Sequence, residues 1–365
     1  METTFAKCGA ALFVSALCTA AGAGTIDTSA GRVQITEVAG GLSEPWGLAF
    51  LPDGRFLVTE REGALTLFAA DGADPVPVQG VPPVLDRGQG GLLDVMIPRD
   101  FDRSRTVWLT YAKPGGRGAG TALGRGTLSG DGTELQDFTE VFAAPATRGG
   151  VHFGSRVVEA LDGTLFLTLG ERGQGANAQD VARPEGKVLH MYPDGNPVNP
   201  VDGWVPQAHS IGHRNPQGAA LDADGALWLV EHGAQGGDEV NRVERGRNYG
   251  WPVIAYGINY NGDPLGIGTK ADGMEQPVHY WDPSIAPSGL MIHSGAMFPD
   301  WRGDMFTGSL KFDYIARLDP DDGYAEERIA APETARVRDV REGPDGAIWF
   351  LSVGQGAVYR MTPAD

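Results

Sequence analysis

Apolar residues alternate with polar ones in short runs along this chain, and the runs come in a repeated unit. "LAFLPDGRFLVTEREGALTLF" spans 48–68, "VVEALDGTLFLTLGERG" 157–173, "GAALDADGALWLVEHG" 218–233 and "VREGPDGAIWFLSVGQGAVYRM" 340–361. Two looser copies are "MIPRDFDRSRTVWLTYA" at 96–112 and "AMFPDWRGDMFTGSLKFDYIARL" at 296–318. Each unit has an apolar strand, a turn of Asp-Gly type, then a second strand such as Leu227-Trp228-Leu229-Val230. Asp-Gly between two such runs predicts a β-hairpin. The six turns fall near 53, 102, 162, 224, 303 and 345. One hairpin repeated at blade-sized spacing predicts an all-β fold, a six-bladed β-propeller of four-stranded antiparallel sheets. A β-sandwich does not explain six copies of one unit. The spacing is uneven, so insertions sit between blades, the longest between 225 and 303. No amphipathic helix of useful length is predicted.

Composition agrees with this picture. The 54 glycines and 25 prolines among 365 residues are spread along the chain, as many tight turns require. The N-terminus reads as an export signal over 1–23. Lys7 precedes an apolar, Ala-rich run from Gly9 to Ala21, and Ala21-Gly22-Ala23 offers a small-x-small cleavage pattern. The run is too short to span a membrane. Both cysteines, Cys8 and Cys18, lie in this segment. Residues 24–365 are then a periplasmic or secreted propeller domain with no thiol, no disulfide and no integral membrane segment. Loss of Glu2 and Lys7 leaves the net charge at −18. Such a chain is not built to bind nucleic acid or an anionic membrane.

Against that background, five segments carry candidate chemistry. In Gly88-Gln89-Gly90-Gly91 the glycines let backbone approach a ligand, although the segment alone also reads as a plain turn. Gly149-Gly150-Val151-His152 is followed one hairpin later by Gly170-Glu171-Arg172. A His within reach of a carboxylate on the paired strand suits either a general base held in one tautomer or a structural His. In "HSIGHRNPQG", 209–218, Pro216 holds Asn215 extended, and three polar side chains in a row do not read as core. Arg214 and Asn215 there suit an anionic or carbonyl-bearing ligand. "VEHGAQGGDEVNRVERGRNYGWP", 230–252, could supply oxygen ligands to calcium or be a solvated acidic loop. Arg336 and Arg338, two apart on a predicted strand, should point the same way, either around an anion with Lys311 or into solvent.

Taken in order from about Leu42 to Met361, these segments resemble the soluble aldose sugar dehydrogenases dependent on pyrroloquinoline quinone (PQQ), relatives of soluble quinoprotein glucose dehydrogenase. "GHRNPQG", "HGAQGGDEVN" followed by "NYGWP", and "RVRDV" before "GPDG" carry the resemblance together. It implies a six-bladed propeller, with PQQ and Ca2+ as cofactors. His152 matches the catalytic base and Glu171 the acid that orients it. Gln89, Arg214, Asn215 and Tyr260 match quinone contacts. Lys311, Arg336 and Arg338 match cations that hold the quinone's carboxylates. Gly233 and Ala234 match backbone ligands of a catalytic calcium, and Glu239 and Tyr249 resemble ligands of a second, structural one. Trp281 resembles a substrate-side aromatic. His232 stands where glucose-type enzymes carry Gln, and Ala234 where Pro is usual. The insertions that support dimers in the glucose type look short here, which implies a monomer.

The implied reaction oxidises an aldose at its anomeric carbon to the lactone and passes the electrons to an external acceptor. Two other readings compete. A calcium-dependent lactonase or esterase would need carboxylates and Asn around a central metal. A non-catalytic binding propeller would not need His152 paired with Glu171.

Overall fold

In the computed structural model, which describes residues 24–116 and 118–364, the six predicted hairpins form the inner halves of six antiparallel sheets. The signal segment proposed for 1–23 lies outside the described residues. Blades 1 to 5 each take four consecutive strands. Blade 6 takes Val337–Glu342, Ile348–Ser352 and Ala357–Pro363 from the C-terminal end, and Gly31–Ala39 from the N-terminal end. Val33 to Ala39 pair with Val358 to Pro363, so the first long strand closes the ring on the last. Gly24–Thr28 adds a fifth strand outside it.

The innermost strands are Pro45–Phe50, Leu92–Met96, Val157–Glu159, Pro216–Leu221, Pro287–Ile292 and Val337–Glu342. Each runs outward from the axis face into one of the six turns, and the second strand returns. Gly54, Gly163, Gly225, Gly303 and Gly346 all have positive φ, where glycine carries no Cβ penalty. Asp53, Asp162 and Asp345 accept the N–H two residues on at 3.0–3.1 Å. Blade 2 lacks the glycine. There a short helix, Phe101–Ser104, ends on Arg105 in the left-handed conformation. No helix among the described residues is long and apolar enough to cross a membrane.

Apolar faces of adjacent blades pack into successive clusters, one of them built on Phe298, Trp301, Phe306 and Phe350 between blades 5 and 6. At the axis the inner strands nearly touch. A Cβ on Gly218 would lie 2.5 Å from Gly289, so backbone meets backbone there. Five of the six inner strands carry a register shift against the second strand near their starts; blade 3 does not. Such bulges re-aim side chains, and here they set the residues that face the axis.

Candidate active site

On the face opposite the turns, the inner-strand starts and second-strand ends enclose a cavity of about 760 Å3. Of the predicted site residues, Gln89, Asn215, Gly233, Ala234, Tyr260, Lys311, Arg336 and Arg338 all line it. Four cations, Arg61, Lys311, Arg336 and Arg338, face one carboxylate, Glu44. Arg61 is matched, with Asp86 at 3.1 Å and Glu44 at 3.6 Å. Among the described residues no carboxylate lies within ion-pair distance of Lys311, Arg336 or Arg338.

The arginines converge for a different reason from the expected one. Arg336 precedes the strand and has φ 51°, and Arg338 sits in the bulge between Val337 and Asp339. Strand alternation therefore does not align them; a left-handed residue and a bulge do. Arg336 is exposed and donates to Leu310 O at 3.0 Å. Arg338 donates to Gln217 Oε1 at 3.0 Å and Ser288 Oγ at 3.1 Å, both neutral. Desolvation, followed by repulsion from Arg156, Arg336 and Arg61, lowers its pKa to about 9. It stays protonated at neutral pH, a cation without a counter-charge.

His152 lies next to cavity-lining residues, its chain neighbours Phe153 and Gly154 and its partner Gln89. Its Nδ1 lies 2.8 Å from Glu171 Oε1, and Glu171 Oε2 accepts Gln174 N–H at 2.6 Å. The carboxylate accepts Nδ1–H, which leaves the lone pair on Nε2. Backbone geometry fixes the ring from behind. His152 has φ 54°, its N–H donates to Gln89 Oε1 at 2.7 Å, and a Cβ on Gly170 would lie 2.2 Å from its carbonyl. The two glycine-rich segments abut, with Gln89 N–H donating to Gly150 O at 2.7 Å. Burial lowers the His152 pKa; the Glu171 hydrogen bond opposes this, and the charge of Arg214 adds to it.

Just before the blade 4 inner strand, Asn215 lines the cavity and Arg214 lines a small adjoining pocket, touching the cavity residue Tyr260. Arg214 donates to His232 O at 3.3 Å and contacts Tyr260 Oη at 3.4 Å. Asn215 Oδ1 accepts from Gly154 N at 3.1 Å and Gln217 Nε2 at 3.2 Å. Their neighbour His213 corrects the expectation that this run is not core. It is fully buried and bridges Ser210 Oγ and Glu231 Oε1, both at 2.8 Å. Ser210, His213 and Glu231 thus have the order of a hydrolytic triad, yet at 0%, 0% and 4% exposure no substrate reaches them. Glu231 Oε2 instead holds the Arg214 N–H at 2.8 Å.

Three predicted residues lie elsewhere. Glu239 and Tyr249 line a small adjoining pocket with Glu231 and Arg214. Asn241 Nδ2 donates to Glu231 Oε1 at 3.2 Å and Glu239 Oε2 at 3.0 Å, while its buried Oδ1 has no partner. Burial and the charge of Glu231 push Glu239 up to about 8. A hard cation among these oxygens would relieve both conditions, so the donor set fits calcium. The Tyr249 hydroxyl is already engaged with Arg242 O and Glu244 N, which leaves only its backbone oxygen for a metal. At Gly233 a Cβ would meet Gly236 O at 2.2 Å, so only glycine allows this carbonyl-rich loop to close beside the cavity. Trp281 is 4% exposed and lines a separate pocket with Tyr280 and Phe312, not the main cavity.

Sequence reasoning missed Gln217, inside "GHRNPQG", and Arg156, four residues after His152. Gln217 is a polar residue on an otherwise apolar inner strand, and Arg156 immediately precedes one, which was the available signal. It also missed the tautomer of His232, whose Nε2 donates to Pro287 O at 2.9 Å and whose pKa burial lowers to about 3.

Residues 42–360 match the glucose/sorbosone dehydrogenase family. The chain belongs to that family. It is 43% identical over 336 residues to the aldose sugar dehydrogenase YliI of Escherichia coli K12, which covers 88% of this chain and 91% of the relative. The fold superposes on the apo-form of the soluble aldose sugar dehydrogenase from Escherichia coli with a TM-score of 0.85 at 40% identity, covering 91% of this chain and 100% of that one. The PQQ-bound form of aldose sugar dehydrogenase from Streptomyces coelicolor matches with a TM-score of 0.75 at 27% identity, covering 90% and 98%. As a glucose/sorbosone dehydrogenase, the protein is an oxidoreductase of the aldose sugar dehydrogenase type.

Proposed function

We propose that this dehydrogenase uses PQQ and Ca2+ to oxidise aldoses at the anomeric carbon to the lactone. The observation that carries the reading is the unmatched cation set, Lys311, Arg336 and Arg338, in a chain of net charge −18. A ligand with several carboxylates supplies the missing anions, through contacts that guanidinium makes strongly and often in bidentate form. PQQ has three carboxylates and a planar ring system of suitable size for the cavity. Gln89, Asn215 and Tyr260 would contact the same ligand, and the Gly233 and Ala234 carbonyls would hold a catalytic calcium beside it. Glu239 and the Tyr249 backbone would hold a second. Trp281 keeps a substrate-side role only if the sugar extends into its separate pocket.

His152 takes the proton of the anomeric hydroxyl at Nε2 while C1 gives up its hydrogen as hydride. Glu171 holds the ring and stabilises the imidazolium that forms. Arg214 offsets negative charge that builds in the cavity. When bound, PQQ supplies the hydride acceptor and calcium the Lewis acid. The balance is one proton held by His152 and a lactone released, with the hydride going to the acceptor that bound PQQ would supply. An external acceptor must then remove the electrons. We place the protein in the periplasm or outside the cell, as a monomer. A lactonase would want carboxylates about the axis metal, whereas this cavity presents cations.

The test is reconstitution. Protein stripped with chelator and dialysed should be inactive toward glucose, and PQQ and Ca2+ together should restore activity where neither alone does. Activity with a nicotinamide cofactor, or activity that survives stripping, would overturn the assignment.

A further inference from the structure

The cofactor cavity does not run through the propeller. On the turn face the axis opens into a second cavity of about 390 Å3, lined in part by Val95, Val157 and Arg341. Leu93 lines the upper cavity and Val95 the lower, with Asp94 between them. At that level four charges form a floor, with Asp94, Arg156 and Asp339 buried and Arg341 half-buried at the lower cavity. Arg156 Nη1 lies 3.0 Å from Asp94 and 3.1 Å from Asp339. Arg341 reaches Asp339 at 3.0 Å and Asp94 at 3.1 Å. Two cations meet two carboxylates, so the floor is neutral and cannot supply the counter-charge that Arg338 lacks.

Arg156 is 1% exposed and comes from blade 3. Its Nε donates to Gln217 O at 2.7 Å in blade 4, and its Nη2 to Arg338 O at 3.0 Å in blade 6. Asp94 belongs to blade 2, and the ring of Trp46 in blade 1 lies 4.2 Å from the guanidinium. One side chain thus joins five blades at the axis. Two of its three side-chain hydrogen bonds go to the backbone of residues whose side chains meet, since Gln217 Oε1 accepts from Arg338 Nη1. Ser288 Oγ donates to the same Arg338 carbonyl at 2.7 Å. A bulged residue is fixed in this way before any ligand arrives.

We infer that Arg156 is a positioning residue for cofactor binding: its planar fork holds the backbone of Arg338 and Gln217 so that the Arg338 guanidinium is aimed into the cavity. Lys at this position would keep the charge opposite Asp94 and Asp339 but lose the fork that spans both carbonyls. The inference rests on the reading of Arg338 as a cofactor contact.

The experiment is a PQQ titration, with calcium, of the full-length protein and of Arg156→Lys, Arg338→Ala and the double variant, beside a thermal melt of each without PQQ. Arg156→Lys should weaken PQQ binding by roughly 5- to 10-fold, about what one lost hydrogen bond is worth. In the Arg338→Ala background the same change should have almost no further effect, because a residue that acts through Arg338 has nothing left to position. Arg156→Gln, which also cannot span both carbonyls, should behave likewise and serves if Arg156→Lys does not fold. Parent affinity in Arg156→Lys and Arg156→Gln, or an effect that persists in full without Arg338, would overturn the inference and indicate a purely structural floor. Failure of the parent to bind PQQ, or equal binding by Arg338→Ala, would instead remove the reading on which it rests.

Discussion

Replacing His152 with Ala is expected to lower glucose turnover by ~10²–10⁴-fold, the usual contribution of a positioned general base, with PQQ binding nearly unchanged. The expectation follows from the ring's surroundings. Glu171 fixes Nδ1–H, the strained backbone at φ 54° fixes the ring's direction, and burial lowers the pKa. The neutral ring is the base, so activity falls as pH falls through that pKa. Because it is lowered, the acid limb of kcat/KM should lie below the ordinary imidazole value near 6.5. In the variant that limb should vanish along with most of the rate. Steady-state kinetics with a PQQ titration measure both. Parent-like turnover in His152→Ala would show that His152 is not the base.

Arg338→Ala is expected to weaken PQQ binding by about 1.5–3 kcal/mol, the range for a hydrogen bond to a charged group. Folding should change little. The substitution removes a cation that Arg156, Arg336 and Arg61 repel, and leaves only the neutral Gln217 Oε1 and Ser288 Oγ without a donor. The two effects oppose one another, so the melt without PQQ should shift by only a few degrees, on the order of 1 kcal/mol. Titration and melt together decide the matter. Equal PQQ affinity would sink the cofactor role. A large loss of stability would mean that Arg338 serves the axis packing instead.

How much of this the chain discloses depends on range. Glycine turns, Asp-Gly in four blades and Arg302-Gly303 in the fifth, are local, so five hairpins were legible from Gly54, Gly163, Gly225, Gly303 and Gly346, and the fold followed from their repetition. Blade 2 was harder because Arg105 does a glycine's work. His152 and Glu171 could be paired from sequence because they flank one hairpin. The convergence of Lys311 with Arg336 and Arg338 was legible only through family resemblance, and its cause, the bulge at Arg338, was not legible at all. A bulge depends on how a strand meets its neighbours at a crowded axis, which no local pattern encodes. The same holds for the floor, since Asp94, Arg156 and Asp339 come from three distant segments. His213 was misread for a related reason. A polar residue looks out of place in a core until its partners, Ser210 and Glu231, are known.

The most direct test of the account is an anaerobic absorbance measurement on stripped protein mixed with one equivalent of PQQ and excess Ca2+, recorded before and after one equivalent of glucose. The account predicts that the quinone spectrum shifts on binding. It then predicts replacement by the spectrum of the reduced cofactor, with the lactone formed in equal amount. A quinone spectrum unaltered by the protein, or a bound quinone that glucose leaves oxidised, would contradict it.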